Sequence, residues 1–228
     1  MSVMPHLSVE AVLEFRELWQ EFALLAREEG VAVTPYRGDG PVFFPQMPAE
    51  MQLATLNAFR SYVELCREVR AEGHALRDNQ FLLWRMFQKM KVHPPSELMS
   101  ELTEGEVIEI HNSEFVQVFR NLRFFELCSY TLDDLLCRPF WELFQRDESV
   151  TGSLIQMGQS VFSGETPGVL QLTVPEHVVL EIDSEARLLS VIQHRVAAPL
   201  RDAEGNVRAG VTLIRSISCV PTGTTRKF

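Results

Sequence analysis

The residues best suited to chemistry are scattered along the chain. Its six histidines form no H-x-H or H-x-x-x-H pair and cluster with neither cysteines nor carboxylates, so a zinc site has little support. His177 and His194 fall on or near expected strands, within reach of a cavity, whereas His111 reads as a turn or strand-edge residue. Glu104, Glu106 and Glu109, with the pair Asp133 and Asp134, are the densest carboxylates. Strand-edge solvation and charge at a helix N-terminus account for them better than acid–base catalysis does. Cys66, Cys128, Cys137 and Cys219 show no C-x-x-C spacing and sit among apolar neighbours, as free thiols in a reducing compartment would. No G-x-S-x-G, phosphate-loop or kinase pattern occurs. The chain reads as a non-enzyme, with an enzyme holding a buried small-molecule pocket as the alternative.

The apolar residues Phe124, Phe125, Cys128, Leu135, Phe140, Trp141 and Phe144, together with His194, either line a small-molecule cavity or fill a core. Fifteen Phe against three Tyr favour aromatic packing that needs no hydrogen-bond partner. The net charge is −10, and acidic side chains outnumber basic ones in both halves, 14 to 10 over residues 1–103 and 17 to 11 over 104–228. That balance argues against a nucleic-acid partner. No apolar run approaches the length of a membrane span, and the start of the chain lacks a basic, then apolar, leader. The expected setting is cytoplasmic, without a membrane partner.

The elements that must position these residues fall into two textures. From Ser8, a plausible N-cap, to Glu29, Val12, Phe15, Trp19, Phe22 and Ala26 recur at helical spacing, and Gly30 supplies the stop. Residues 31–48 carry four prolines and two glycines and form a loop, with Phe43 and Phe44 expected to pack down. Helices follow over Ala49–Glu72 and Leu76–Met90, then a short turn over Ser96–Leu102. Strand texture begins at Glu106–His111 and Phe115–Asn121, joined by the turn HNSE. Short helices over Leu122–Leu127 and Leu132–Leu136 and a longer one over Ser153–Phe162 come next. Strands Val178–Ile182, Arg187–Ala198 and Val207–Ser218 close the pattern, and the tail PTGTTRKF is expected to fray. Three units result: a helical region over 1–103, a mixed domain over 104–220 and a disordered tail over 221–228.

Two runs carry a family resemblance. VFRNLRFFELCSYTLDDLLCRPFWELF, from Val118 to Phe144, resembles the signature core of PAS domains: a strand ending in Asn, an aromatic shortly after, a G-Y-S-like turn, an acidic pair and a G-R/K-P-F/W-like step. PLRDAEGNVRAGVTLIRSIS, from Pro199 to Ser218, is similar to the closing hairpin of that family. Ser129 and Cys137 stand where the family usually has glycine. The resemblance implies an α+β fold, with a five-stranded antiparallel sheet carrying short helices on one face and the helical region ahead of it. It implies a signal-transduction role, sensing a ligand or binding a partner protein, with a ligand-free assembly scaffold as a further alternative. No cofactor is expected. The stretch Arg146–Gln159, matched to the flavin-adduct motif, has no cysteine, and no histidine lies between Asn112 and Glu176 to ligate haem, which leaves an unidentified small molecule.

Two expectations concern association. The stripe Val12, Phe15, Trp19 and Phe22 is assigned to a homodimer interface, beside a protein partner in a signalling pathway. The strand Arg187–Ala198 is apolar on both faces under strict alternation, with Leu189, Val191 and Ala197 on one and Leu188, Ile192, Val196 and Ala198 on the other. The N-terminal helices, in cis or swapped, are expected to cover the face away from the short helices.

Overall fold

The computed structural model describes residues 9–113 and 116–222. Ser8, Glu114, Phe115 and the chain beyond Thr222 lie outside the described residues, so the expected cap, part of the HNSE turn and most of the tail do too. Three helices open the chain: α1 (Val9–Glu28), α2 (Ala49–Ala71) and α3 (Asn79–Met90). Gly30 and Gly73 follow α1 and α2 with φ of 77° and 84°, the left-handed conformation that ends a helix. Helix α3 begins three residues later than expected because Asp78 caps it, accepting from the amide of Phe81 at 3.1 Å.

The rest is α4 (Leu98–Glu101), β1 (Val107–Asn112), β2 (Gln117–Arg120), α5 (Leu122–Glu126), α6 (Leu132–Cys137), α7 (Phe140–Leu143), β3 (Phe144–Gln145), α8 (Glu148–Phe162), β4 (Leu170–Gln171), β5 (His177–Glu181), β6 (Leu188–Arg201) and β7 (Val207–Pro221). The sheet is antiparallel, in the order β2-β1-β7-β6-β5-β3, with β4 beside β6. The five longer strands are those expected; β3 and β4, two residues each, are additions too short to leave a period in the sequence. Helix α8 starts before Ser153, capped by Asp147, since Gly152 and Gly158 dilute its pattern without breaking it. Strand β7 extends to Pro221, three residues past its expected end, so the tail begins later than expected.

Local chemistry fixes the PAS-type core. Asn121 is fully buried after β2; its Oδ1 accepts from the Ile108 amide at 3.1 Å and its Nδ2 donates to the Glu106 carbonyl at 2.7 Å, which stops β2 against β1. Thr131 and Asp134 form a reciprocal capping box at the start of α6. Asp202 accepts from the amides of Glu204 and Asn206, and Gly205 at φ 86° turns β6 into β7.

Register sorts the sheet into two faces, because directly paired residues share a side. On the outer face, Ile108 pairs Leu213 and Leu213 pairs Val196, while Ile110 pairs Phe119 and Val211 and Val211 pairs Ala198. All seven are 1% exposed or less and belong to one continuous core with Phe15, Phe22, Leu56, Tyr62 and Leu83. The N-terminal helices therefore cover the outer face within the same chain: Tyr62 packs on Phe119 with ring centroids 5.4 Å apart and donates its hydroxyl to the carbonyl of Arg120. Burying Ile108, Ile110, Phe119, Val211 and Leu213 stabilises the fold by roughly 8–15 kcal/mol at about 1.5–3 kcal/mol each. The interface assignment for α1 is corrected by this packing. Phe15, Trp19 and Phe22 are fully buried in cis, with Phe15 stacked 3.8 Å from Phe44 and Phe22 5.3 Å from Phe125, and Val12 is half-buried.

Strict alternation along β6 is also corrected. A bulge between His194 and Val196 leaves Arg195 unpaired in the ladder and puts its two neighbours on opposite faces. Arg195 reaches out to Glu106 and to the Glu101 carbonyl.

The loop over residues 31–48 is pinned from the other side. Asp133, 2% exposed, accepts from three successive backbone amides: Val42 at 2.6 Å, Phe43 at 3.0 Å and Phe44 at 3.0 Å. The amides of Leu132 and Asp133 donate in turn to the carbonyls of Thr34 and Pro35. Replacing Asp133 with Ala orphans three amides, so an Asp133→Ala variant should lose about 3–5 kcal/mol of unfolding free energy in urea titrations. Amides 42–44 should then exchange with solvent far faster than in the wild type.

Candidate ligand-binding site

The inner face of the sheet has the opposite character. Gly210 marks it: a Cβ there would come within 3.1 Å of Val161 on α8. Gly210 pairs His111 and Pro199; two residues on, Thr212 pairs Glu109 and Ala197, and Glu109 pairs Arg120. His194 pairs Ile214, and His177 pairs Ile192. The inner face thus carries Glu109, His111, Arg120, His177, His194 and Thr212, beneath a roof to which α8 belongs.

Several of these polar atoms are buried without a hydrogen-bond partner among the described residues: Nε and Nη1 of Arg120, Nε2 of His177, Nδ1 of His194 and Nε of Arg146, with both amide atoms of Gln117 nearby on β2. The His177 and His194 rings stack at 5.3 Å and 9° between planes. His177 Nδ1 lies 3.0 Å from the Pro175 carbonyl, which fixes the proton on Nδ1 and leaves Nε2 as an acceptor. Burial lowers the His194 pKa to about 3, and the charge of Arg146 and the adjacent His177 push the same way. Burial, with Arg146, also lowers His177, against the pull of its bond to Pro175. Burial lowers His111, where Glu109 pulls upward. Arg120 lies 3.8 Å from Glu109 and covers the Phe124 ring at 4.2 Å.

Arg146 follows β3, whose residues Phe144 and Gln145 pair Glu181 and Leu180 of β5. Alternation puts Phe144 and Arg146 on the face shared by Glu181, Val179 and His177. Arg146 also lines an open cleft of about 280 Å³ with Phe140, Trp141, Phe144, Gln145, Thr151 and Ile182, and its guanidinium lies 5.4 Å from the centre of the Phe140 ring. A second cavity of about 20 Å³, room for about one water, lies between α2 and β2, lined by Tyr62, Gln117, Arg120 and Phe125 among others.

The sequence-derived lining divides accordingly. Phe140, Trp141 and Phe144 border the cleft, and His194 sits on the inner face. Phe124 lies under Arg120, and Cys128 is half-buried, its thiol pushed well up by burial. Phe125 on α5 and Leu135 on α6 instead belong to the core shared with the N-terminal helices, where Phe22 of α1 packs on Phe125. Ser129, at the usual glycine position, donates its amide and hydroxyl to the buried Glu181, which also accepts from Ser184 and the Leu188 amide. Arg120, Gln117 and Arg146 were not singled out in the sequence. Alternation over Gln117-Val118-Phe119-Arg120 sets the first two on opposite faces, and only a bulge that skips Val118 brings them to one face; Arg146, in FQRDES, looks like a solvated loop residue.

The five-strand order, the roofed inner face and the two motif blocks give residues 104–218 a PAS-type fold. Neither the protein-family models nor the curated proteins contain a match to the chain. Among solved structures, the chain is similar to the light-state dimer of the fungal blue-light photoreceptor Vivid, at 13% identity over 57% of this chain and 90% of that one, with a TM-score of 0.39. It is similar to a PAS domain from Colwellia psychrerythraea, at 17% identity, 50% and 86% coverage and a TM-score of 0.35. A sensory box sensor histidine kinase from Vibrio cholerae matches at 12% identity, 61% and 97% coverage and a TM-score of 0.31.

The buried imidazole sets a pH dependence. Above about pH 6.5 His194 is neutral both folded and unfolded. As pH falls, the unfolded chain binds a proton that the folded chain refuses until about pH 3, so acid favours unfolding. At pH 5 the loss is roughly 2 kcal/mol. His194→Phe should flatten the fall in unfolding free energy, read from urea titrations, between pH 7 and pH 5 by about that amount.

Proposed function

We propose that residues 104–218 act as a PAS-type sensor that binds a small molecule between the inner sheet face and its helical roof. The role is binding and signalling rather than turnover. The observation that carries this reading is the concentration of buried, unpartnered polar atoms on Gln117, Arg120, Arg146, His177 and His194. Buried polar groups in folded proteins are ordinarily satisfied, so a set of them, with Arg146 lining an open cleft, suits a ligand that supplies missing bonds. Native mass spectrometry of the freshly purified full chain should show a retained small molecule and an uncoloured protein. A visible absorption band from stoichiometric flavin or haem contradicts the cofactor part, and a bare chain mass from every expression host contradicts the sensor.

Output through association is the second part of the reading. The N-terminal helices stop short of one end of the outer face. There Val178 and Val220 are about half exposed, at 50% and 53%, beside the half-buried Leu189 and Val191, and Val178 pairs Val191 as Leu189 pairs Val220. We assign the homodimer to this end of the sheet in place of the α1 stripe. Val178→Glu with Val220→Glu should convert dimer to monomer in light scattering with circular dichroism unchanged. A wild type monomeric at tens of micromolar removes the dimer.

A further inference from the structure

We infer that the ligand of this site is a small aromatic carboxylate, held with its ring against Phe140, Trp141 and Phe144 and its carboxylate on Arg146. The inference rests on the sensor reading and deepens it by naming a ligand class.

Three observations converge on Arg146. It is the one cation in the lining of the 280 Å³ cleft. Its Nε is buried without a hydrogen-bond partner, and among the described residues the guanidinium has no ion pair, whereas Arg120, on the same inner face, has Glu109. Burial, only partly offset by Glu109, makes its charge harder to hold. An unpaired, partly desolvated guanidinium is a strong donor site for a planar two-oxygen anion, which it binds through parallel N–H···O bonds.

The walls select what carries the carboxylate. Trp141 is 61% exposed and Ile182 42% exposed, so both have apolar surface to bury on a ligand. The Phe140 and Trp141 rings stand 5.2 Å apart at 76°, edge to face, and the exposed Trp141 ring offers surface to a stacked partner. The volume is just under the ~300–1,000 Å³ of pockets for drug-sized molecules, so one ring with a short acidic arm suits it. The stacked His177 and His194, which feel the Arg146 charge, put a polar rather than an apolar surface on that side of it.

Isothermal titration of the full chain with benzoate, phenylacetate and their neutral amides, benzamide and phenylacetamide, tests this. At least one acid should bind at or below millimolar concentration, and its amide about tenfold or more weaker, as loss of a charge-assisted pair predicts. Arg146→Gln should remove that preference, and Arg146→Lys should keep part of it; circular dichroism and melting confirm that both variants fold. Amides binding as well as acids, acid binding intact in Arg146→Gln, or no binding by either acid each overturn the assignment. If the variants fail to fold, the acid-to-amide comparison on the wild type still decides. A retained neutral molecule in native mass spectrometry leaves the sensor standing and removes the carboxylate, so the two failures are distinct.

Discussion

The sheet cannot stand with its outer face in water. Ile108, Ile110, Phe119, Val196, Ala198, Val211 and Leu213 form an apolar surface that the helices of the first hundred residues cover. Every other arrangement depends on that burial. It makes one core of two sequence regions with different textures, and it commits Phe15, Trp19 and Phe22 to the interior. It also lets the inner face mix polar groups with apolar ones, for Val107, Val179, Ala197 and Ile214 are buried there beside the histidines and Arg120. A polar inner face without the apolar outer one would cost stability at each buried guanidinium and imidazole.

Asp133 shows how the cover is held in place. A single buried carboxylate gathers three consecutive amides of the loop between α1 and α2. The same short helix is started by Thr131 and Asp134, so neighbouring acidic residues do separate work: Asp134 closes the helix end, and Asp133 binds a distant stretch of chain. Its partners are backbone groups, which carry no residue signature. The sequence therefore shows the acidic pair as helix N-terminal charge and conceals the long-range tie.

The helices α1 and α2, the five long strands and the two motif blocks were legible because each has a period or a turn chemistry that local physics enforces. The Asn121 and Thr131 roles were legible for the same reason: the backbone groups they bond lie within fifteen residues. What was hidden depends on distance or on a break in period. The fate of the α1 stripe turns on Phe44, Phe59, Tyr62 and Phe125, and periodicity alone cannot choose between those partners and a second chain. Half of the candidate site was visible, through Phe140, Trp141, Phe144 and His194. Arg146 was hidden because a two-residue strand, and no longer pattern, aims it inward.

The extra residue at Arg195 works as a phase shift in the wiring of the molecule. On one side of it, the strand reads His194 inward; on the other, Val196 reads outward, though the two are separated by the spacing that normally keeps side chains together. Polar and apolar programmes can therefore share one long strand without interrupting each other. The junction is also a place where sequence change has two very different scales. Removing Arg195 would leave His194 and Val196 adjacent, still opposite Ile214 and Leu213 and still on opposite faces, whereas removing a paired residue would move every position beyond it to the other face. Lineages carrying this fold should accordingly tolerate a one-residue change of length at Arg195 more readily than one among the paired positions on either side of it.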